Sequence, residues 1–413
     1  MPTSFFYFFL LCLFLFSASP SLSASNGLPN TGFITLPVKI DPATHQYYTS
    51  IGIGTPRHNM NLAIDLAGEF LWYNCDTHYN SSSYNPVSCG SQKCPQTSPC
   101  IGCNGFPRKP GCTNDTCGLS VVNPFADTIF SGDMGEDFLF MPQMKVPHTF
   151  VSGCTDSDRF TTPLLVGLAK GIKGILGLAR TSLTLPIQVS SSFNVPPKFT
   201  LCLPSSNSKK TNIGEIFIGG RPGSAISVSR TGFSSSSDEY FIHVNSINVN
   251  DKPVKFRSSL LSVDKKGNGG TKISTMSPYT VLHHSIYKSF VKDFVKAAEA
   301  RKIKRVKPVH PFGACFDANT IGDKAVPAIN LVMEGPVGGE NYEIFGHNSM
   351  VEVKKGVLCL AFVDGGKEAK TAVVIGGYQL EDRILEFDLS TSILSFSSSL
   401  LLHNASCSNP ASL

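Results

Sequence analysis

Along most of the chain, apolar and polar residues alternate over short runs that Gly, Pro, Ser and Asn then interrupt. Such alternation marks half-buried strands, so the pattern predicts an all-β protein with a few short helices. Tyr47-Tyr-Thr-Ser-Ile-Gly-Ile-Gly54 alternates and breaks at Pro56. Gly214-Glu-Ile-Phe-Ile-Gly-Gly220 reads as another strand, and 241–249 as one more, followed by a turn at Asn250-Asp251. The clearest helix is predicted over 285–301, where Ile286, Phe290 and Phe294 recur on one face beside Val291, Val295 and Ala298. Ser285 is its expected N-cap.

The chain is 413 residues long, enough for two lobes of ordinary size. The polar stretch from Pro204 to Asn212 is the weakest connection, so the lobes are expected at 25–208 and 209–413. Each half carries a strand feeding a polar turn, Ala63-Ile-Asp-Leu-Ala-Gly68 early and Lys272-Ile-Ser-Thr-Met-Ser277 late, which is a loose internal duplication. The apolar run from Phe5 to Phe16 is short for a membrane span, and small residues follow it. It reads as a signal peptide over 1–24, with a short membrane anchor as the alternative, leaving a soluble, exported chain.

Thirteen cysteines occur, and removing Cys12 with the leader leaves an even twelve, which suits an oxidised exported protein. Cys75, Cys89, Cys94, Cys100, Cys103, Cys112 and Cys117 crowd into an insert at 75–117, and Cys154, Cys202, Cys315, Cys359 and Cys407 follow. Cys100-Ile-Gly-Cys103 has the spacing of half a zinc site, but no His or second pair completes it, so disulfides and no metal are expected. Asn80, Asn114 and Asn404 head glycosylation sequons. The net charge of +5 is spread over the chain, which argues against nucleic acid. The basic run 301–307 reads as a solvated helix end.

Several motifs carry a resemblance to the pepsin-like aspartic proteases. Tyr47 to Pro56 resembles that family's strand before its first active-site loop, and Phe70-Leu-Trp72 the segment after it. Lys173-Gly-Ile-Leu-Gly-Leu178 is similar to the glycine-rich strand across the first lobe, and Val374 to Leu380 with Leu385 to Asp388 resemble the closing strands. The resemblance runs from about Tyr47 to Ser399 and implies a bilobal fold.

The family's chemistry needs two carboxylates that share a proton, one acting as acid while the other acts as base toward a water. Asp65 stands at the first position and Ser274 at the second. A hydroxyl titrates far too high for that role, so the site is expected to be vestigial and Asp65 to titrate as an ordinary carboxylate. Leu66 stands where the family has a cross-lobe Thr, and Ala67 and Met276 replace glycines of the two motifs. No Tyr occurs between Tyr84 and Tyr240 to serve the substrate-covering flap. Asp133-Met-Gly and Asp364-Gly-Gly are expected to be turns rather than substitute motifs.

The cysteine cluster and Ile273-Ser-Thr-Met-Ser-Pro-Tyr-Thr-Val281 further resemble one plant branch of the family: cereal xylanase inhibitors, xyloglucan-specific endoglucanase inhibitors and extracellular dermal glycoproteins. That resemblance implies a monomeric apoplastic protein without cofactor that plugs the cleft of secreted microbial glycoside hydrolases. A basic side chain would meet the target's paired carboxylates. His403, four residues before Cys407, matches the branch's position, and Lys324 in the loop 320–327 is a second candidate. A protonated His serves there, a state favoured by an acidic wall. The same resemblance implies the pairs Cys315–Cys359 and Cys202–Cys407. A storage or peptide-binding role and an active endopeptidase stand as the alternatives.

Overall fold

The computed structural model describes residues 32–75, 79–102, 115–142, 144–156, 163–206, 213–223, 227–234, 237–322, 325–335 and 338–409. The expected leader at 1–24 and the lobe boundary at 208/209 lie outside them.

Strand Tyr47–Ile53 buries Tyr47, Thr49 and Ile51 while Tyr48 and Ser50 remain partly exposed, as its alternation predicts. Gly54, at a φ of 81°, reverses the chain into the antiparallel strand His58–Asp65. That strand runs parallel to Ile172–Gly177, with Asp65 opposite Gly177, and Leu71–Asn74 pairs antiparallel on the far side. The second half repeats the arrangement. Thr271–Ile273 runs parallel to Val373–Ile375, and Thr280–Leu282 pairs antiparallel beyond it. The duplication is therefore structural: each lobe suspends one turn between a parallel and an antiparallel partner. Close backbone approach fixes both copies. A Cβ on Gly177 would sit 2.4 Å from the Gly68 carbonyl oxygen, and one on Gly376 2.3 Å from the Tyr279 carbonyl carbon.

A continuous sheet joins the halves. Ile34–Ile40, Ile213–Ile218 and Lys198–Cys202 pair in turn, and Lys198–Cys202 then pairs with Leu385–Asp388. Ile393–Ser397 and Val228–Gly232 complete the platform. Phe199 and Phe387 stack across this seam at 4.6 Å, and Tyr240 packs edge-on against Phe387 while its hydroxyl donates to the Leu178 carbonyl at 2.6 Å. The principal apolar core accordingly runs through both lobes, from Leu36 and Ile64 to Phe290 and Phe387.

The helix occupies His284–Ala300 and buries Ile286, Phe290, Phe294, Val295 and Ala298. Its N-cap is His283, not Ser285: the imidazole accepts the Ser285 N–H, a bond that starts the helix two residues earlier. The run 241–249 splits into Phe241–Ile242 and Val244–Val249, because the first piece pairs with Thr271–Ile273 and the second with Ile329–Gly335. Asn250 and Asp251 form the expected turn, both at positive φ, as a tight hairpin requires. The basic run does not simply cap the helix: Ile303 is buried and Arg305–Val306 pairs with Cys315–Asp317.

Candidate functional site

Asp65 ends its strand inside the first turn, 6% exposed, and its Oδ1 accepts the Ala67 N–H at 2.9 Å. Ser274 follows Thr271–Ile273 in the second turn, 9% exposed, and its Oγ accepts the N–H groups of Met276 and Ser277 at 3.2 and 3.3 Å. The hydroxyl thus serves as an acceptor that orders its own loop. The turns meet back to back. Thr275 donates its hydroxyl to the Ile64 carbonyl and accepts the Leu66 N–H at 3.3 Å. Leu66, fully buried, has no hydroxyl to return the contact. The cross-lobe contact is therefore one-sided, carried by Thr275.

The expectation that Asp65 titrates as an ordinary carboxylate is corrected. Burial pushes its pKa up from 3.8 to about 6, and the Glu239 carboxylate adds to the rise. The Ala67 and Gly68 N–H groups and the Lys272 ammonium pull the other way without cancelling it. Lys272 is itself paired with Glu239, at 2.5 Å. The surroundings are apolar besides: Met276, in the second turn, packs into the cluster of Ala63, Phe70, Trp72 and Ile175 in the first lobe.

The hairpin at the position of a flap comprises Thr116–Val122 and Ile129–Met141. Its tip is fastened to its own lobe. Asn123, fully buried, donates through Nδ2 to the carbonyls of Leu164 and Val166 at 2.8 and 2.9 Å. Phe125 covers Gly167, where any Cβ would approach within 2.4 Å. Asp133 is not in a turn, as its Asp-Met-Gly context suggested: it sits mid-strand, 1% exposed, opposite Gly118 and Cys154. Asp364 does end a strand in a turn, accepting the Gly366 N–H and pairing with His284 at 2.7 Å.

The candidate binding residues lie elsewhere. His403 closes the short turn Leu400–His403 near the C-terminus, exposed, with its Nε2 at 3.0 Å from Ser398 Oγ. Leu401 and Leu402 beside it are also exposed, at 38% and 55%. Beneath them Leu400 is fully buried with Cys202, Ile384, Ala405 and Cys407. The Cys202–Cys407 bridge fixes this tail to the seam between the lobes. Asn404 is exposed at a φ of 54° directly after His403, and Asn80 is exposed near the first lobe's rim. Lys324 and Asn114 lie outside the described residues.

Five disulfides are present among the described residues: Cys75–Cys154, Cys89–Cys100, Cys94–Cys117, Cys202–Cys407 and Cys315–Cys359. The last two are the pairs that the resemblance implied. Cys103 and Cys112 lie outside the described residues.

Reading the sequence missed two features. Thr275 was legible as a hydroxyl beside Ser274, but its reach to Ile64 depends on how the lobes meet. Glu381, 1% exposed between the lobes, accepts the Tyr47 and Ser206 hydroxyls at 2.8 and 3.1 Å. Burial pushes its pKa up to about 8, with nearby Asp382 adding to the rise. Its only signal was an acid within an otherwise apolar closing segment.

Comparison with known proteins agrees with this architecture. The family described as xylanase inhibitor N-terminal matches residues 47–220, and that described as xylanase inhibitor C-terminal matches residues 239–398. The chain is 41% identical over 435 aligned positions to "Probable aspartic proteinase GIP2" of Nicotiana benthamiana, covering 97% of this chain and 96% of that one. It is 37% identical to "Gamma conglutin 1" of Prunus dulcis, over 98% of this chain and 95% of that one. Among solved structures, that titled "Crystal structure of edgp" is similar with a TM-score of 0.82 and 38% identity, covering 92% of this chain and 97% of that chain.

Proposed function

The chain belongs to the xylanase-inhibitor family of pepsin-like proteins, and from that premise we propose that it is a non-peptidase inhibitor of glycoside hydrolases. The proposed targets are secreted microbial endoglucanases active on xyloglucan, or endoxylanases, met in the apoplast after removal of a leader over 1–24. The observation that carries the reading is the exposed turn Leu400–His403, held from below by Cys202–Cys407. It presents an imidazole directly after two exposed leucines, the composition of a small apolar knob with a basic tip. Such a knob fits a cleft that holds paired carboxylates, where charge-assisted hydrogen bonds are strong. The proposed loss of peptidase chemistry rests on Ser274, whose Oγ is engaged by its own loop, and on Asp65 having no second acid to share a proton with. Lys324 is proposed as a second contact from the loop 320–327.

The test is inhibition of a panel of xyloglucanases and xylanases at about pH 5. Inhibition by the wild-type protein that His403→Ala weakens by about tenfold or more supports the reading. A panel left wholly uninhibited refutes it. Acid-dependent peptide hydrolysis abolished by Asp65→Asn would refute the non-peptidase part. A second reading, a storage or peptide-binding protein, is favoured by the sequon at Asn404: a glycan there would crowd His403 on its exposed side. Removing that sequon with Ser406→Ala distinguishes the two, since inhibition that appears only in this variant marks the knob as blocked in the natural glycoprotein.

A further inference from the structure

A groove of about 690 Å³ lies on the second lobe, between the helix His284–Ala300 and the hairpin that turns at Asn250-Asp251. Lys292 and Lys296 line it from the helix, and Lys252 and Lys255 from the hairpin side. Arg301 also lines it, and Asp293 is the only acid in the lining. All four lysines are exposed, and among the described residues none of them makes an ion pair. Lys292 and Lys296 stand one helical turn apart on the same face, where like charges repel and weaken a helix. Two further lysines line the other side, and Asp293 is the one lining carboxylate against four lysines and Arg301. Such an excess of exposed cations over acids along one groove suits an anionic ligand outside the chain.

We infer that this groove binds a linear polyuronate, an acidic polysaccharide with one carboxylate on each sugar. Three observations favour that chemistry over other anions. The lysines come from two separate elements, the helix and the hairpin side, which suits charges spaced along a chain. Arg301, the only guanidinium, already donates to the Ala325 carbonyl and to Asn250 Oδ1, so no free fork is offered to a phosphate. The lining includes Val249, Pro253, Ala297 and Ala300 and no aromatic ring. It accepts the C–H faces of sugars, whereas single-stranded nucleic acid would call for aromatic stacking platforms. The groove is remote in sequence from the turn Leu400–His403 and does not rest on the inhibitor reading.

The test titrates the full secreted protein with a long oligogalacturonide at low salt, with fully methyl-esterified pectin and inorganic phosphate as the other arms. Binding is expected to the charged chain alone and to weaken as salt screens it. Replacing Lys252, Lys255, Lys292 and Lys296 by Gln is expected to lower affinity about tenfold or more, because four exposed charge contacts are lost together. A control with the same change in net charge, Lys265, Lys266, Lys354 and Lys355 replaced by Gln, is expected to stay within about twofold. On the unaltered protein, the oligogalacturonide is expected to shield Lys292 and Lys296 from acetylation but not Lys265. Equal losses in the two variants, an unchanged groove variant, equal binding of esterified pectin, or uniform acetylation would each overturn the proposal.

Discussion

Replacing Asp65 by Asn is expected to reverse the sign of its effect on stability between acid and neutral pH. In the folded protein the carboxyl is buried and its pKa is raised to about 6 from 3.8. Because the folded-state value lies above the unfolded one, the folded chain holds the proton more tightly. The resulting stability is fully present below about pH 4 and is lost as pH rises through about 6. The gap between the two values corresponds to about 3 kcal/mol of destabilisation once the group is ionised in both states. Asn keeps an oxygen for the Ala67 N–H but turns an amide N–H₂ toward the Gly68 N–H, which now faces the carboxylate. Losing that bond costs about 1 kcal/mol at every pH. Asp65→Asn should therefore be less stable than wild type by about 1 kcal/mol at pH 3.5 and more stable by about 2 kcal/mol at pH 7. Denaturant unfolding followed by fluorescence of Trp72, across that pH range, reads the difference directly. An effect that does not change with pH, or a loss of stability at neutral pH, would refute the claim that Asp65 is a buried acid with no partner carboxyl.

Glu381→Gln should act in the same direction, since the folded-state pKa of about 8 lies above the ordinary 4.5. The wild-type protein should lose stability as pH rises from about 4.5 through 8, and the variant's melting profile should be flatter over that window. Thr275→Val strips the buried Ile64 carbonyl of its donor and the Leu66 N–H of its acceptor. A loss of about 2–4 kcal/mol in chemical denaturation is expected, and a neutral result would refute the cross-lobe link. Cys407→Ser opens a bridge that spans 205 residues and frees the tail that carries His403. It should lower stability by about 2–5 kcal/mol and speed dissociation from any hydrolase target, as read by calorimetry and surface-bound kinetics.

The sequence by itself determined the class of fold and the paired turns. Alternation in 47–53 and the four-residue spacing of Ile286, Phe290 and Phe294 are local signals, and local sterics with burial of one face suffice to convert them into elements. The identity of Ser274 is equally local: no packing turns a hydroxyl into a carboxylate. Tertiary structure decided what those residues do. Thr275 grips the first lobe across a separation of about 210 residues. Asp65 titrates high because the two lobes together bury it, and Asn123 pins the hairpin tip through carbonyls some forty residues away. A charge's environment and a donor's partner are set by chain segments distant in sequence. Periodicity reports which face a residue turns inward, but not what it meets there.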